Sequence, residues 1–258
     1  MSNEVRFWSI VWHSTMRLVF SFRGLIALLF SIFMVAMVAL VFDKLPQAFF
    51  ELLKLFTPNP DLQFQWFLFD NSISKLITLF IAPIFIFDAI SGDRNDDRFG
   101  LMLSRPITRT QYLLMRLFSA SLAFGIIFIP TIALGYPAFT NIVPTLTPVS
   151  YFGTTILVYL LGFFTMSVGL LVSTLTKKSI VSFIAMFGVM AFFMLPNAMK
   201  YSSDTLSDIA MATPHYYATY FTSRPFDGLS CAGFAVVIVL FSLPFILVTT
   251  WKFRKESL

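Results

Sequence analysis

Charged residues and cysteine are both scarce in this chain, and each shortage excludes a class of protein. Asp, Glu, Lys and Arg make up 12% of the residues, about half the share of an average soluble domain. The single cysteine, Cys231, supports neither a disulfide framework nor a cysteine-rich metal site. The zinc motif H-E-x-x-H, the nucleophile elbow G-x-S-x-G and the phosphate loop G-x-x-x-x-G-K-[ST] are missing from the sequence. Any energy that the protein uses must therefore come from elsewhere.

Apolar residues take the place of the missing charge. They account for 57% of the sequence and are concentrated in six runs, each near the ~20 residues that an α-helix needs to cross a bilayer core. A soluble domain of 258 residues has no core large enough to bury six such helices. The sequence therefore predicts an all-α membrane protein with six transmembrane helices, at Gly24–Phe42, Ile73–Ile90, Leu113–Phe139, Tyr151–Leu175, Ile180–Met199 and Leu229–Trp251.

Basic residues are distributed unevenly around these runs. If the N-terminus is cytoplasmic, thirteen of the 18 Lys and Arg residues lie on the inner side, and the outer side keeps only Lys44, Lys54, Lys75, Lys200 and Arg224. Such a bias orients membrane proteins that have short loops, so we expect both termini inside a multi-pass protein of the cell membrane. The net charge of +5 then reflects inner loops that face anionic lipid headgroups, and it does not indicate nucleic-acid binding.

The segment before the first run has a different pattern. Apolar residues from Val5 to Phe22 recur at spacings of three and four, and they include Trp8 and Trp12, whereas Arg6, His13 and Arg17 fall on the opposite side. This pattern is typical of an amphipathic helix that lies in the membrane plane. The alternative is a continuous inward extension of the first transmembrane helix.

The predicted spans contain no charged residue at mid-span. Lys75 and Asp88 lie near the ends of the second span, where they can reach water or headgroups. Carriers driven by protons or ions generally need buried ionisable groups, so this absence argues against such a carrier.

Small and proline residues within the spans indicate how the helices pack. Thr165, Gly169 and Ser173 repeat every four residues in the fourth span, and Ser121 and Gly125 do so in the third, which favours close helix packing. Prolines predict kinks in four spans, at Pro83, Pro130, Pro137, Pro196 and Pro244. In the outer segment before the sixth span, the cluster His215, Tyr216, Tyr217 and Tyr220 is interpreted as an interfacial anchor rather than a ligand site.

The inner loop between the second and third spans carries the most specific signal. It begins with dense mixed charge at Asp93–Arg98, continues with the apolar stretch Phe99–Leu103, and is ended by Pro106. A short helix with charged ends and one apolar face, parallel to the membrane, would fit a groove on a soluble partner.

This loop resembles the permease subunits of type-2 ATP-binding-cassette (ABC) transporters, particularly the group associated with multicopper-enzyme maturation. That group has a pattern like I-S-G-E-R-E-x-G-T-L-x-L-L-L-S-R-P-V-S-R. Here the matching residues, with Asp93 in place of the group's Glu, are Ile90, Ser91, Gly92, Asp93, Arg94, Leu101, Leu103, Ser104, Arg105, Pro106 and Arg109. The chain departs at Asp97, Arg98 and Phe99, where the group has Gly, Thr and Leu, and Arg116 stands where Lys is usual.

The resemblance implies a half-transporter formed by one permease domain over residues 1–258. Residues 1–23 would be an interface helix with Trp8, Trp12 and Arg17, residues 24–251 the six spans, and residues 252–258 a basic cytoplasmic tail. Two copies would pair with two separate ABC ATPase subunits, which would bind ATP and Mg²⁺, so the permease itself would be no enzyme and would hold no cofactor. The residues that couple to the ATPase would be Asp93, Arg94, Arg98, Phe99, Leu101, Leu103, Ser104, Arg105, Pro106 and Arg109.

Two other functions fit parts of the pattern. A membrane scaffold or assembly factor without transport could use the same loop to hold a peripheral protein, and an ABC ATPase encoded beside the gene would favour the transporter instead. An intramembrane enzyme or ion-coupled carrier is disfavoured, because buried catalytic or ionisable residues are absent from the predicted spans. Copper, heme, a peptide, a lipid and a drug all remain open as the transported substrate.

Overall fold

A computed structural model describes residues 3–44, 46–47, 51, 77–95, 108–144, 146–198, 203–222 and 227–255. Over these ranges the chain is helical, and they contain no β-strand. The α-helices, numbered along the chain, are α1 (Asn3–Val19), α2 (Phe22–Val41), α3 (Ala82–Ile86), α4 (Ser91–Asn95), α5 (Arg109–Ile142), α6 (Pro148–Leu175), α7 (Ser179–Ala198), α8 (Asp204–Met211), α9 (Pro214–Thr222) and α10 (Gly228–Lys255).

Five of these helices, all within the described ranges, are long and apolar enough to cross a membrane: α2, α5, α6, α7 and α10. They coincide with five of the six predicted runs. The remaining run, Ile73–Ile90, is described from Ile77 onward, as a π-helical turn (Ile77–Ile81) followed by α3 and a turn that ends at Ile90. Its role as a sixth span stays a prediction.

The amphipathic N-terminal segment forms a helix of its own. Between α1 and α2 the helix is interrupted at Phe20 and Ser21, and the Ser21 hydroxyl accepts a hydrogen bond from the Gly24 N–H at 3.3 Å, which caps α2. A Cβ atom at position 24 would lie 2.0 Å from the Val19 carbonyl oxygen, so only glycine fits this junction. The alternative of one continuous helix is therefore wrong, whereas the in-plane orientation of α1 stays a prediction.

Helix α6 lies at the centre of the bundle. It packs against α3, α5, α7, α9 and α10. In the most apolar 18-residue stretch of each helix, 72% of the residues are buried in α6, against 22% in α2 and 17% in both α7 and α10. The aliphatic side chains on the outer faces of those three helices are left exposed. Such faces suit lipid or another apolar surface.

Small residues allow the close packing that the sequence predicts. A Cβ atom at Gly169 of α6 would lie 2.5 Å from side-chain atoms of both Ile86 and Met186, so the side chains of α3 and α7 pack directly against the glycine. On α5, the Ser121 hydroxyl lies 2.8 Å from the Tyr159 hydroxyl of α6, and the same ring packs over Gly125. The prediction of small-residue contact faces is confirmed at both places.

The segment before α10 folds into two short helices. Ser203 caps α8 through its hydroxyl, which accepts a hydrogen bond from the Leu206 N–H, and α9 packs against α6 and α10. His215 is buried, whereas Tyr220 is exposed and its ring stacks on Tyr216. An anchor at a membrane surface therefore remains a prediction for the tyrosines, but His215 belongs to the interior.

Candidate functional site

Charged residues from several helices meet where α2 and α5 begin and where α6 and α10 end. The turn and short helix from Phe87 to Asn95 lie among these helix ends, which together are called the basic end. Of the proposed coupling residues, the structure places Asp93, Arg94 and Arg109 here. The others lie outside the described residues, so their roles stay predictions: Arg98, Phe99, Leu101, Leu103, Ser104, Arg105 and Pro106.

A break in the helical hydrogen bonding precedes α4. The backbone N–H groups of Ile90 and Ser91 donate to the Ser173 hydroxyl oxygen of α6, at 3.0 and 3.2 Å, instead of to carbonyls of their own helix. The Ser91 hydroxyl in turn donates to the Phe87 carbonyl at 3.3 Å. Ser91 and Ser173 are both fully buried, so the hydroxyl of Ser173 supplies an acceptor that water cannot replace.

Asp93 joins α4 to the first turns of α5. Its Oδ2 atom accepts hydrogen bonds from the Tyr112 hydroxyl and from the Arg116 guanidinium. Arg116 also donates from Nε to the Tyr112 oxygen at 3.3 Å, and the Tyr112 ring stacks against Phe253 of α10 with 6.0 Å between ring centroids. The Asp93 side chain is only 12% exposed, so this ion pair is shielded from solvent screening.

Arg94, the next residue, points to α6. Its Nη1 atom donates to the carbonyl oxygens of Thr174 at 2.9 Å and Thr176 at 3.2 Å. The last carbonyls of a helix have no partner within it and form the negative end of the helix dipole. The guanidinium therefore satisfies and stabilises the C-terminus of α6.

Arg109 makes the corresponding contact with α10. Its Nη1 atom donates to the carbonyl oxygens of Phe253 at 3.2 Å and Arg254 at 3.1 Å. Arg254 returns the contact, because its Nε and Nη2 atoms donate to the Thr110 hydroxyl at 3.1 and 3.0 Å. The first turn of α5 and the last turn of α10 are thus bonded to each other in both directions.

A second ion pair lies where α2 begins. Arg23 donates from both terminal nitrogens to the Asp88 carboxylate, with 2.6 Å between Nη1 and Oδ1, and its guanidinium lies 4.8 Å from the centre of the Phe87 ring. The sequence analysis placed Asp88 near the end of a span, and the structure adds its partner. This bidentate pair joins α2 to the turn before α4.

The predicted interface helix presents its two tryptophans outward. Trp8 is 54% and Trp12 56% exposed, and Arg17 is exposed as well. The adjoining face of α1 packs on α5, where the Ser119 hydroxyl donates to the Val11 carbonyl at 3.1 Å and the Trp8 ring lies 5.9 Å from the Phe118 ring. The tryptophans are thus accessible to lipid or to a partner, as an interface helix requires.

Sequence reasoning missed three members of the basic end: Arg23, Tyr112 and Ser173. The signal for Tyr112 was available, because it lies four residues before Arg116 on one face of a helix that follows an acidic loop. Ser173 was noted only as a small residue. The charged groups of the basic end connect α2, α5 and α6 to α4 and its flanking turn, and Arg109 connects α5 to α10.

Comparison with known families agrees with the sequence and the fold. A family model described as ABC-2 family transporter protein matches residues 8–258, nearly the whole chain. A comparison with curated proteins found no match.

Proposed function

We propose, from the premise that the chain belongs to the ABC-2 family of transporter proteins, that it works as a dimer in an ATP-driven exporter of the cell membrane. The family makes the chain a multi-pass membrane protein and a permease subunit of an ABC transporter. The observation that carries the proposal is the extent of the family match, which includes all five apolar helices and the whole basic end. ATP is bound and hydrolysed, with Mg²⁺, by two separate ATPase subunits.

The proposed contact with the ATPase is the loop at the basic end. The sequence from Phe99 to Leu103 supplies the apolar side chains for an ATPase groove, between charged flanks. The flanks at Asp93, Arg94 and Arg109 are fixed to the bundle by the contacts described above. In this proposal the basic end is cytoplasmic, the segment that contains α3 is the sixth span, and α1 lies in the membrane plane.

The matching loop residues also support the narrower assignment to the group associated with multicopper-enzyme maturation. They fall in two blocks, Ile90–Arg94 and Leu101–Arg109. The exported substrate is not specified by these residues. We place the transport path at the interface of two copies of the chain. Two-fold dimers are the commonest protein oligomers, and α2 and α7 have apolar faces that the rest of the described chain does not cover.

Co-purification with a separate ABC ATPase of the same organism tests this proposal. We expect a stable complex of two permease and two ATPase chains. In Phe99→Ala, loss of a buried anchor should cost ~2–4 kcal/mol of binding, a fall in affinity of about 30- to 900-fold. Leu229→Ala is the control, because Leu229 is 82% exposed at the end of α10 remote from the basic end.

The outcomes separate the transporter from other functions. Unchanged ATPase affinity in Phe99→Ala would remove this loop from the coupling role. If the wild-type chain binds no ABC ATPase and supports no ATP-dependent transport in reconstituted vesicles, the permease proposal fails as a whole.

A further inference from the structure

Two arginines flank the loop in a matching arrangement. Arg94 lies just before residues 96–107 and Arg109 just after them. Each guanidinium donates to two backbone carbonyls at the C-terminus of a different helix, Arg94 to α6 and Arg109 to α10. The partners are distant in sequence, by 80 residues for Thr174 and 145 for Arg254. The two ends of the loop are therefore bonded to two separate long helices.

The two helices that receive these contacts form one packed unit. Helices α6 and α10 share the most extensive helix–helix contact of the described chain, and Phe164 of α6 packs edge-on against Phe245 of α10 with 5.8 Å between ring centroids. Close-packed interiors transmit displacement with little compression. A force applied to the loop is thus transmitted to the C-terminal ends of α6 and α10, which pack together as one unit.

The carbonyl contacts hold one nitrogen of each arginine. The Nη1 atoms of Arg94 and Arg109 make four carbonyl contacts of 2.9–3.2 Å, and an arginine bound at a helix C-terminus is held by both hydrogen bonds and the helix dipole. An arginine whose Nη1 atom moved into a groove of a partner would have to break these bonds first.

We infer that Arg94 and Arg109 are positioning residues that carry displacement of the intervening loop to α6 and α10, rather than residues that bind the ATPase surface. The inference rests on the proposed function, since the displacement comes from an ATPase bound to the loop. In this arrangement the two arginines contact the permease itself, and the residues between them contact the ATPase.

Spin-label distances between the two copies of the permease–ATPase complex test this inference. A single label is placed at Val149 or at Leu229, which are 67% and 82% exposed where α6 and α10 begin, in a Cys231→Ser background. Distances are measured in lipid nanodiscs, without nucleotide and with ATP and vanadate. In the wild type we expect nucleotide to shift the distance at both positions.

The double variant Arg94→Met/Arg109→Met should lose this shift while it still co-purifies with the ATPase and still hydrolyses ATP. The matched control Lys177→Met/Lys178→Met removes the same charge from exposed positions directly after α6 and should keep the shift. Arg94→Lys/Arg109→Lys, which keeps the cation at each helix end, should restore most of it. In the isolated permease, amide hydrogen exchange at the last turns of α6 and α10 should rise in the Met variant only.

Each contrary result has a separate meaning. A full nucleotide-dependent shift in the Met variant, or loss of ATPase binding with unchanged hydrogen exchange, would overturn the inference while the proposed function stands. A wild-type complex that does not form, or whose distances ignore nucleotide, would overturn the proposed function and the inference with it.

Discussion

At the scale of single residues, Asp93 is a nearly buried charge that depends on two hydrogen-bond partners. Its carboxylate accepts from both a phenol and a guanidinium while it is nearly buried. Removing one partner of such a pair leaves the other charge without compensation, which costs more than the pair contributes when intact. Loss of Asp93 therefore destabilises the protein chiefly because the Arg116 guanidinium is left without its counter-ion.

Substitution Asp93→Asn should lower the stability of the permease by about 2–3 kcal/mol, because Arg116 keeps its charge and loses its counter-ion. Tyr112→Phe removes the hydrogen bond donated to Asp93 and the one accepted from Arg116, and should cost about 1–3 kcal/mol. Thermal unfolding of the purified permease measures both effects. The double variant Asp93→Asn/Arg116→Met should lose less stability than the sum of the losses in Asp93→Asn alone and Arg116→Met alone. Strictly additive losses would contradict a direct interaction between Asp93 and Arg116.

At the scale of elements, the interruption between α3 and α4 depends on a helix far away in the sequence. Two N–H groups lack the carbonyl partners that a regular helix would give them, and a hydroxyl of α6 replaces those partners. The geometry of the turn is thus set by how α3 docks on α6, where Gly169 permits the close approach.

Ser173→Ala should leave both N–H groups without that acceptor, at a cost of about 1–3 kcal/mol for each group that stays unsatisfied. Amide hydrogen exchange at Ile90 and Ser91 should become faster, and the melting temperature should fall. Ser167→Ala is the matched control, because this equally buried hydroxyl of α6 bonds only to the Phe163 carbonyl of its own helix. Equal effects of the two variants would mean that Ser173 has no special role at the break.

The long helices were predictable from sequence, and the largest error in their bounds is four residues, at Arg109 against the predicted Leu113 and at Lys255 against Trp251. A continuous apolar run depends on local composition alone. The contacts of Asp93, Arg94 and Arg109 were not predictable, because their partners are separated by 19 to 145 residues and meet only after the helices dock. The resemblance to type-2 ABC permeases implies contact with the ATPase for these three residues, whereas their bonds within the permease are visible only in the structure.

At the scale of the whole molecule, the charge distribution predicts an orientation. With both termini cytoplasmic, cysteines introduced at Asp61 and Asp208 should react with a membrane-impermeant reagent from outside intact cells, in a Cys231→Ser background. A cysteine at Lys255 should react only after the membrane is opened. Labelling of the Asp61 position from the cytoplasmic side alone would contradict the proposed topology.

The energy source for transport also concerns the whole molecule, because coupling to a proton or sodium gradient needs ionisable groups near the apolar helices. Asp88 and Asp93, which border the segment proposed as the sixth span, are each paired with an arginine at the basic end. Transport in vesicles that contain the permease and its ATPase should therefore persist when proton and sodium gradients are collapsed, provided that ATP is present. Loss of transport on gradient collapse would point to a secondary carrier instead.

The hydroxyl that replaces the helical partners of Ile90 and Ser91 has a consequence for biosynthesis. Ser173 follows Ser91 by 82 residues, and at synthesis rates of about 5–20 residues per second it leaves the ribosome about 4–16 s later. Until then, the two N–H groups can bond to the carbonyls of Ile86 and Phe87, as in an unbroken helix. A nascent chain that stops before Ser173 cannot hold the break, so the turn that leads into α4 is a late product of assembly.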